Sequence, residues 1–376
     1  MPDFNNDAGA ATAGGKLLLA VRDHAYSREV CFLCGCELDD TNRSDEHIFP
    51  RWLQRKFNIR DKTIGLLNQA RMAYRKLTIP CCSACNNGHL SALERRVARW
   101  LEKPVNELTR DQERDLFLWA SKILFGLLYR QLFVSRDPRD RAGQTIIDPE
   151  AIKHFEHMHR LLQGIRTPLV YSGPTTHPGS FAVFEVQCPP DLPSQFDWID
   201  SPATQTLYVR LGTRAVLLSH DGGAQMIAVG DIITRHQRRP LHPLQMEEVA
   251  AKFLYKEVLL QRWPVFTLAD DGRLFVACLG FDYPEARMNI LTLASGDGDG
   301  DGGPSEITSI GIPHPNDDER PLFGDWVREE YFLLFSRTTR LPERMLGGED
   351  GTTATWLITL DDKDLIFDFE MQPYPL

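Results

Sequence analysis

Residues 31–36 read Cys31-Phe32-Leu33-Cys34-Gly35-Cys36, and residues 81–86 read Cys81-Cys82-Ser83-Ala84-Cys85-Asn86. Cysteines two residues apart can place both thiolates on one metal ion through a tight turn, and two such knuckles supply the four sulfurs of a closed tetrahedral zinc site. The regular spacing selects Cys31, Cys34, Cys82 and Cys85 as the structural Zn²⁺ ligands, with Cys36 and Cys81 near enough to substitute. Six of the eight cysteines lie in this first quarter of the chain, which argues for metal binding over disulfides. Cys188 and Cys278 stand alone in apolar, strand-like segments and read as small buried hydrophobes.

The knuckles are separated by 47 residues, more than a compact zinc ribbon needs, so the insertion is where function is to be sought. It contains Ser44-Asp45-Glu46-His47-Ile48-Phe49-Pro50, and directly after the last cysteine comes Asn86-Asn87-Gly88-His89. Neighbouring side chains of an extended segment point to opposite faces, so of Glu46 and His47 one can bind a metal while the other faces a substrate. Asn86, anchored beside the second knuckle, can complete that metal site, and His89 is a further candidate ligand on the same helical side. A hard cation on oxygen ligands, with an imidazole to take a proton from water, is the minimum set for metal-assisted phosphodiester hydrolysis.

The order CxxC, acid-His-Ile-x-Pro, CxxCN resembles the HNH endonucleases, in particular their zinc-stapled ββα-metal branch. The resemblance spans about Cys31 to Arg99. It implies two short strands and a helix around one catalytic cation, with Cys31, Cys34, Cys82 and Cys85 holding the structural zinc. His47 would activate water, while Glu46, where the family usually has Asp, and Asn86 would hold a catalytic Mg²⁺ or Mn²⁺. The helix following Asn86 would offer Arg95, Arg96 and Arg99 to phosphates. The implied partner is nucleic acid, most simply DNA, and the family's accessory-domain layouts extend the implication to restriction or anti-phage defence. The competing reading is a non-catalytic zinc module that binds nucleic acid or a protein partner; it has no use for the set Glu46, His47 and Asn86.

Charge patterning supports a polyanionic partner. The chain has 376 residues, 42% hydrophobic and 25% charged, with a formal net charge of -10. Residues 43–103 nevertheless hold 13 Lys and Arg against five acids, a local +8 that leaves -18 for the remainder. A basic module on an acidic body suits contact with nucleic acid through residues such as Arg51, Arg55 and Lys56. The composition excludes whole-chain disorder and a disulfide scaffold. No apolar run approaches the roughly 20 residues of a membrane span, so no membrane partner is expected. The N-terminus lacks a secretory pattern, which makes a cytoplasmic protein the expectation. A homo-oligomer is compatible with the composition. Neither a nucleophile-elbow serine nor a P-loop motif occurs, so a serine hydrolase and a P-loop ATPase lack support.

The expected class is α+β: a flexible stretch 1–25, a zinc-stapled ββα-metal module 26–104, and a helical connector with a larger mixed α+β domain over 105–376. Helical spacing marks Leu90 to Glu102, a long apolar helix capped by Thr109, a helix from Asp148 to Leu162, and one from Pro243 to Arg262. Strand signals fall at Leu169–Tyr171, Phe181–Val186, Thr206–Leu211 and Ala215–Ser219. Asp221, Gly222 and Gly223 suggest a turn into a further strand, Met226 to Val229. More strands are expected near Phe275–Cys278, Ile290–Leu293, Thr355–Leu360 and Leu365–Phe369, with a mobile loop at Ser295–Gly303 and a helix or strand at Trp326–Phe335. His154, His157 and His159 read as helix-surface histidines.

Overall fold

The computed structural model describes residues 24–258, with gaps at 67, 69, 141, 174, 189–194, 228–232, 234–236 and 238–239, then 264–270, and thereafter only strands between 274 and 370. Nearly all of the expected flexible stretch, the Ser295–Gly303 loop and the Trp326–Phe335 element lie outside the described residues.

The N-terminal part contains β1 (Arg43–His47), α1 (Arg51–Lys56), β2 (Thr63–Gly65), β3 (Arg71–Ala73), β4 (Thr78–Cys82) and α2 (Ser91–Trp100). β1 pairs antiparallel with β4 so that Arg43 faces Cys82 and His47 faces Thr78. The small pair β2–β3 lies in the connection between them. A π-helical turn, Ala84–Leu90, leads from the second knuckle into α2, which buries Leu93 and Val97.

Next comes α3 (Arg110–Gln131), the expected long apolar helix. Thr109 Oγ1 accepts from the Gln112 backbone N–H and the Gln112 side chain accepts from the Thr109 N–H, closing a capping box. From Leu116 to Tyr129 every residue of α3 is buried, as a helix surrounded by protein must be. The expected Asp148–Leu162 helix is divided. Asp148 Oδ1 accepts the Glu150 N–H at 2.7 Å, a capping bond. A 3₁₀ stretch, Ala151–Phe155, precedes α4 (Glu156–Leu162). The histidines here depart from a surface role. His154 is exposed, but His159 is fully buried and His157 Nε2 lies 2.6 Å from Gln205 Oε1.

After β5 (Leu169–Ser172), the strands β6 (Ser180–Glu185), β7 (Phe196–Ser201), β8 (Thr206–Leu211) and β9 (Arg214–Ser219) form an antiparallel sheet in the order β6-β9-β8-β7. One face, with Phe181, Val183, Val209 and Leu218, joins the core around α3. The opposite face, with Phe184, Tyr208 and Leu217, packs on Met246, Val249 and Phe253 of α5 (Pro243–Val258). Cover on both faces explains why β8 and β9 read as largely apolar runs. Of the strand expected at Met226–Val229, residues 228–229 lie outside the described residues and Met226 and Ile227 are helical: residues 224–227 form a turn of helix started by Asp221, which accepts the N–H groups of Gly223 and Gln225 at 2.9 Å. Cys188 is half-buried rather than buried. β10 (Val265–Asp270) and β11 (Leu274–Leu279) pair antiparallel, and β11 lies parallel to β5. Backbone ladders further along are β12 (Ile290–Leu293) with β13 (Ile307–Gly311), and β14 (Arg344–Gly347) with β15 (Thr353–Leu360) and β16 (Lys363–Glu370). The architecture is α+β. No helix among the described residues is long and apolar enough to cross a membrane.

A single buried cluster runs from Cys31 through α3 to Leu218, so the knuckles and the four-stranded sheet share a core organised on α3. α3 comes close to the β1–β4 unit at Gly126, where a Cβ would lie 3.2 Å from Ile48 Cγ1 and 3.4 Å from Ile79 Cδ1. Gly126→Val is expected to push α3 off the β1–β4 pair and destabilise the protein by about 1–3 kcal/mol. Chemical denaturation of the variant checks this.

Candidate functional site

The two knuckles converge. Sγ atoms of Cys31, Cys34, Cys82 and Cys85 all lie within 4.8 Å of one another, and Cys34 Sγ to Cys82 Sγ is 3.8 Å. Sulfurs about 2.3 Å from a tetrahedral ion stand about 3.8 Å apart, so this spacing suits a metal ion such as zinc. Backbone detail agrees: Gly35 takes φ +72°, which lets its N–H reach the Cys31 carbonyl at 2.9 Å, and the Cys85 N–H points at Cys82 Sγ at 3.4 Å. Thiols in this crowd cannot all ionise by themselves. Bonds from Cys34, Cys81 and Cys85 hold Cys31 far below the ordinary thiol range, and the bond to Cys31 pushes Cys81 and Cys85 far above it. A shared cation removes that conflict. Cys81 Sγ also lies 3.8 Å from Cys31 Sγ, but it turns toward the Cys82 carbonyl and stays outside the four-sulfur group.

Strand alternation divides β1 into two chemical faces. The outer face carries Asp45 and His47, which line a cavity of about 530 Å³ together with Arg51, Gln54, Arg55, Arg60, Arg75 and Thr78. Thr78 reaches it because it sits opposite His47 across the β1–β4 ladder. Four arginines against one aspartate make the cavity strongly cationic; among them Arg75 pairs with Asp61 at 2.7 Å. Arg51, the first residue of the helix behind Pro50, donates from Nε to His47 Nδ1 at 3.4 Å. Partial burial, and then the Arg51 charge, hold the His47 imidazole below its ordinary value, so it is neutral at pH 7 with Nδ1 as its acceptor atom.

The inner face carries Glu46, which is 4% exposed. Its carboxylate is ion-paired with Nζ of Lys122 from α3, a side chain only 1% exposed. The same ammonium pairs with Glu94 of α2 at 3.2 Å and donates to the backbone carbonyls of His47 at 2.8 Å and Ile48 at 3.3 Å. Burial pushes the Glu94 carboxyl up to about 7 against the pull of Lys122, and the neighbouring Glu46 adds to the rise. These contacts correct the expected ligand set. Glu46 points away from His47 and the cavity and is engaged by a lysine, and the carboxylate that shares the His47 face is that of Asp45. The period of two in Ser44-Asp45-Glu46-His47 already carries that signal.

The remaining expected residues divide. Asn86 sits beside the second knuckle as anticipated, but its amide donates to Ser44 Oγ at 2.9 Å and to the Asp45 carbonyl at 3.1 Å, fastening the knuckle to β1. His89 is exposed, and partial desolvation and then the Arg166 charge hold its imidazole down. Arg51 and Arg55 line the cavity. Lys56, also on α1, is ion-paired with Glu102. On α2, Arg95 donates to Ser91 Oγ and Arg99 is exposed, whereas Arg96 grips Asp115 with bonds of 2.7 and 3.1 Å. Sequence reading did not single out Asp45, Arg60, Arg75, Glu94 or Lys122. Comparison with protein-family models, with curated proteins and with solved structures finds no match to this chain.

Metal analysis should find one zinc ion per chain in the wild type and in Cys81→Ser and Cys36→Ser, and its loss, with unfolding of the N-terminal part, in Cys34→Ser or Cys85→Ser. Glu94 gives a second expectation. Its carboxyl titrates higher folded than the ordinary 4.5, so neutral Glu94 favours folding fully below pH 4.5, and that contribution disappears as pH rises through about 7. The stability of the wild type relative to Glu94→Gln should therefore fall across that interval in denaturant titrations.

Proposed function

We propose that this protein is a nucleic-acid phosphodiesterase, an endonuclease acting on DNA, with His47 as the general base. The observation that carries this reading is a neutral, half-buried imidazole at the wall of a cavity lined by four arginines. The four-cysteine site, assigned to structural zinc, supports it by fixing the β1–β4 pair on which His47 stands. The order of motifs, similar to that of HNH endonucleases, points the same way.

Guanidinium groups match phosphate oxygens in bidentate geometry, so Arg51, Arg55, Arg60 and Arg75 bind the backbone and offset the charge that builds on the non-bridging oxygens. A phosphate that draws Arg51 toward itself frees the lone pair of His47 Nδ1. That nitrogen then accepts a proton from water as the water oxygen bonds to phosphorus and the opposite P–O bond breaks, solvent supplying the proton to the leaving oxygen. Mg²⁺ or Mn²⁺ bound by Glu46 and Asn86, the arrangement the resemblance implies, does not fit at Glu46, whose carboxylate is occupied by Lys122, whereas Asn86 spends its NH₂ group, not its metal-ligating oxygen, on Ser44 and Asp45. No step here runs through an ion at that position.

Plasmid nicking by zinc-loaded protein, assayed with and without added Mg²⁺ or Mn²⁺, should fall at least about 100-fold in His47→Ala. Undiminished nicking by that variant would overturn the assignment. The wild-type rate should rise with pH through a midpoint below 6.5, because the base works unprotonated and its folded value is depressed. Arg55→Ala and Arg60→Ala should each weaken DNA binding across sequences and reduce the slope of log affinity against log salt by about one. Salt-dependent binding with no cleavage in the wild type would identify the competing non-catalytic module.

A further inference from the structure

The geometry points to Lys122 as the resident cation of the β1–β4–α2 unit: its ammonium takes the place at Glu46 that a divalent ion would need, and it positions His47 by holding that residue's carbonyl. Four observations converge on one nitrogen. Nζ of Lys122 is ion-paired with Glu46 on β1 and with Glu94 on α2, and it donates to the carbonyls of His47 and Ile48, where β1 ends and the chain turns toward α1. Carboxylates from a strand and a helix, with a backbone oxygen between them, form an oxygen-rich cage of the kind a hard cation would select. Here the cage is closed by a lysine from a third element, and the side chains of Lys122 and Glu46 are 1% and 6% exposed. The remaining charges around it are accounted for: the outer face of β1 carries Asp45, with Arg51 of α1 across from His47, and Arg130, two turns further along α3, donates to the Thr78 carbonyl.

The positioning consequence follows from the backbone. His47 is the last residue of β1; the Ile48 N–H beyond it bonds to the Leu77 carbonyl at 3.0 Å, and the His47 carbonyl is held by the ammonium. The ammonium fixes that carbonyl from the inside of the sheet while the imidazole projects outward into the cavity. Lys122 touches neither substrate nor water in the proposed reaction, so its effect is on the orientation of the base.

The second half of this inference rests on the hydrolase reading, and the first does not, so the test has two arms. In the first, zinc-loaded full-length protein is titrated with Mn²⁺ and the free ion is read by electron paramagnetic resonance. Wild type and Glu46→Gln should bind Mn²⁺ alike, whereas Lys122→Ala should gain a site that is lost again on adding Glu46→Gln. Loss of wild-type Mn²⁺ binding in Glu46→Gln alone would overturn the proposal, and this comparison stands even if Lys122→Ala fails to fold. In the second, the charge-neutral pair Lys122→Met with Glu46→Gln should keep its zinc and its KM for DNA while kcat falls at least tenfold. An unchanged kcat in that folded variant would overturn the positioning role. Absence of nicking by the wild type would instead count against the hydrolase reading and leave the Mn²⁺ result intact.

Discussion

Charge crowding among sulfurs is the constraint on which the N-terminal architecture depends. The thiol groups of Cys31, Cys34, Cys82 and Cys85 meet inside 4.8 Å although the chain between the knuckles is 47 residues long. Closing a loop of that length costs conformational entropy that grows only slowly with length, and a metal ion held by the four thiolates would offset it many times over. Once the knuckles meet, β1 and β4 are forced into register with Arg43 against Cys82, and everything between them emerges as a single excursion. That excursion carries α1, and with it Arg51 and Arg55, to the same side as the outward face of β1. The cavity is thus a consequence of where the chain is pinned.

What was legible in the sequence is what local physics decides. The CxxC spacings locate the four sulfurs because a knuckle is made by adjacent residues and one tight turn. Thr109 and Gln112 announce the start of α3 because a capping box needs only four consecutive residues. Strands β8 and β9 were visible because both faces of their sheet are covered, which leaves largely apolar runs, interrupted in β8 by Arg210. The failures share the opposite character. Which face of β1 is buried, that of Glu46 or that of Asp45 and His47, depends on which one meets α3, where Lys122, a residue far along the chain, pairs with Glu46. The Arg96 pairing with Asp115, on α3, was likewise out of reach of the local sequence. His159, exposed by a helical-wheel argument, is buried because α4 packs against the first knuckle, where Gln163 donates to the Leu33 carbonyl. In each case a long-range partner outweighed a sound local inference.

Helix α3 therefore has two roles that neither its hydrophobicity nor its length reveals. It supplies the apolar floor on which both the four-stranded sheet and the β1–β4 pair rest, and Gly126 allows the strands to approach closely enough for contact with Ile48 and Ile79. One turn earlier it inserts a single charge into that floor. A buried ammonium is tolerable only when its hydrogen bonds are satisfied and opposite charge surrounds it, and the two carboxylates and two carbonyls around Lys122 meet that requirement. The same arrangement leaves one carboxyl, Glu94, close to its own titration at neutral pH, as expected when two carboxylates share one lysine in a desolvated space.

The two faces of β1 thereby divide positive charge by task. Inside, a lysine neutralises carboxylates and holds the backbone; saturated by its partners, it has no donor left for a ligand. Outside, arginines stand in a cavity open to an anion. A metal ion bound at Glu46 would have combined these tasks, since an ion with open coordination both organises its ligands and polarises a phosphate oxygen. An ammonium cannot take on the second task, so in the proposed hydrolase charge neutralisation at the scissile group would pass to the guanidinium groups around His47. Arginine is suited to it: its planar fork remains protonated throughout the range in which the imidazole titrates, so the cavity keeps its positive charge at every pH where His47 can act as a base.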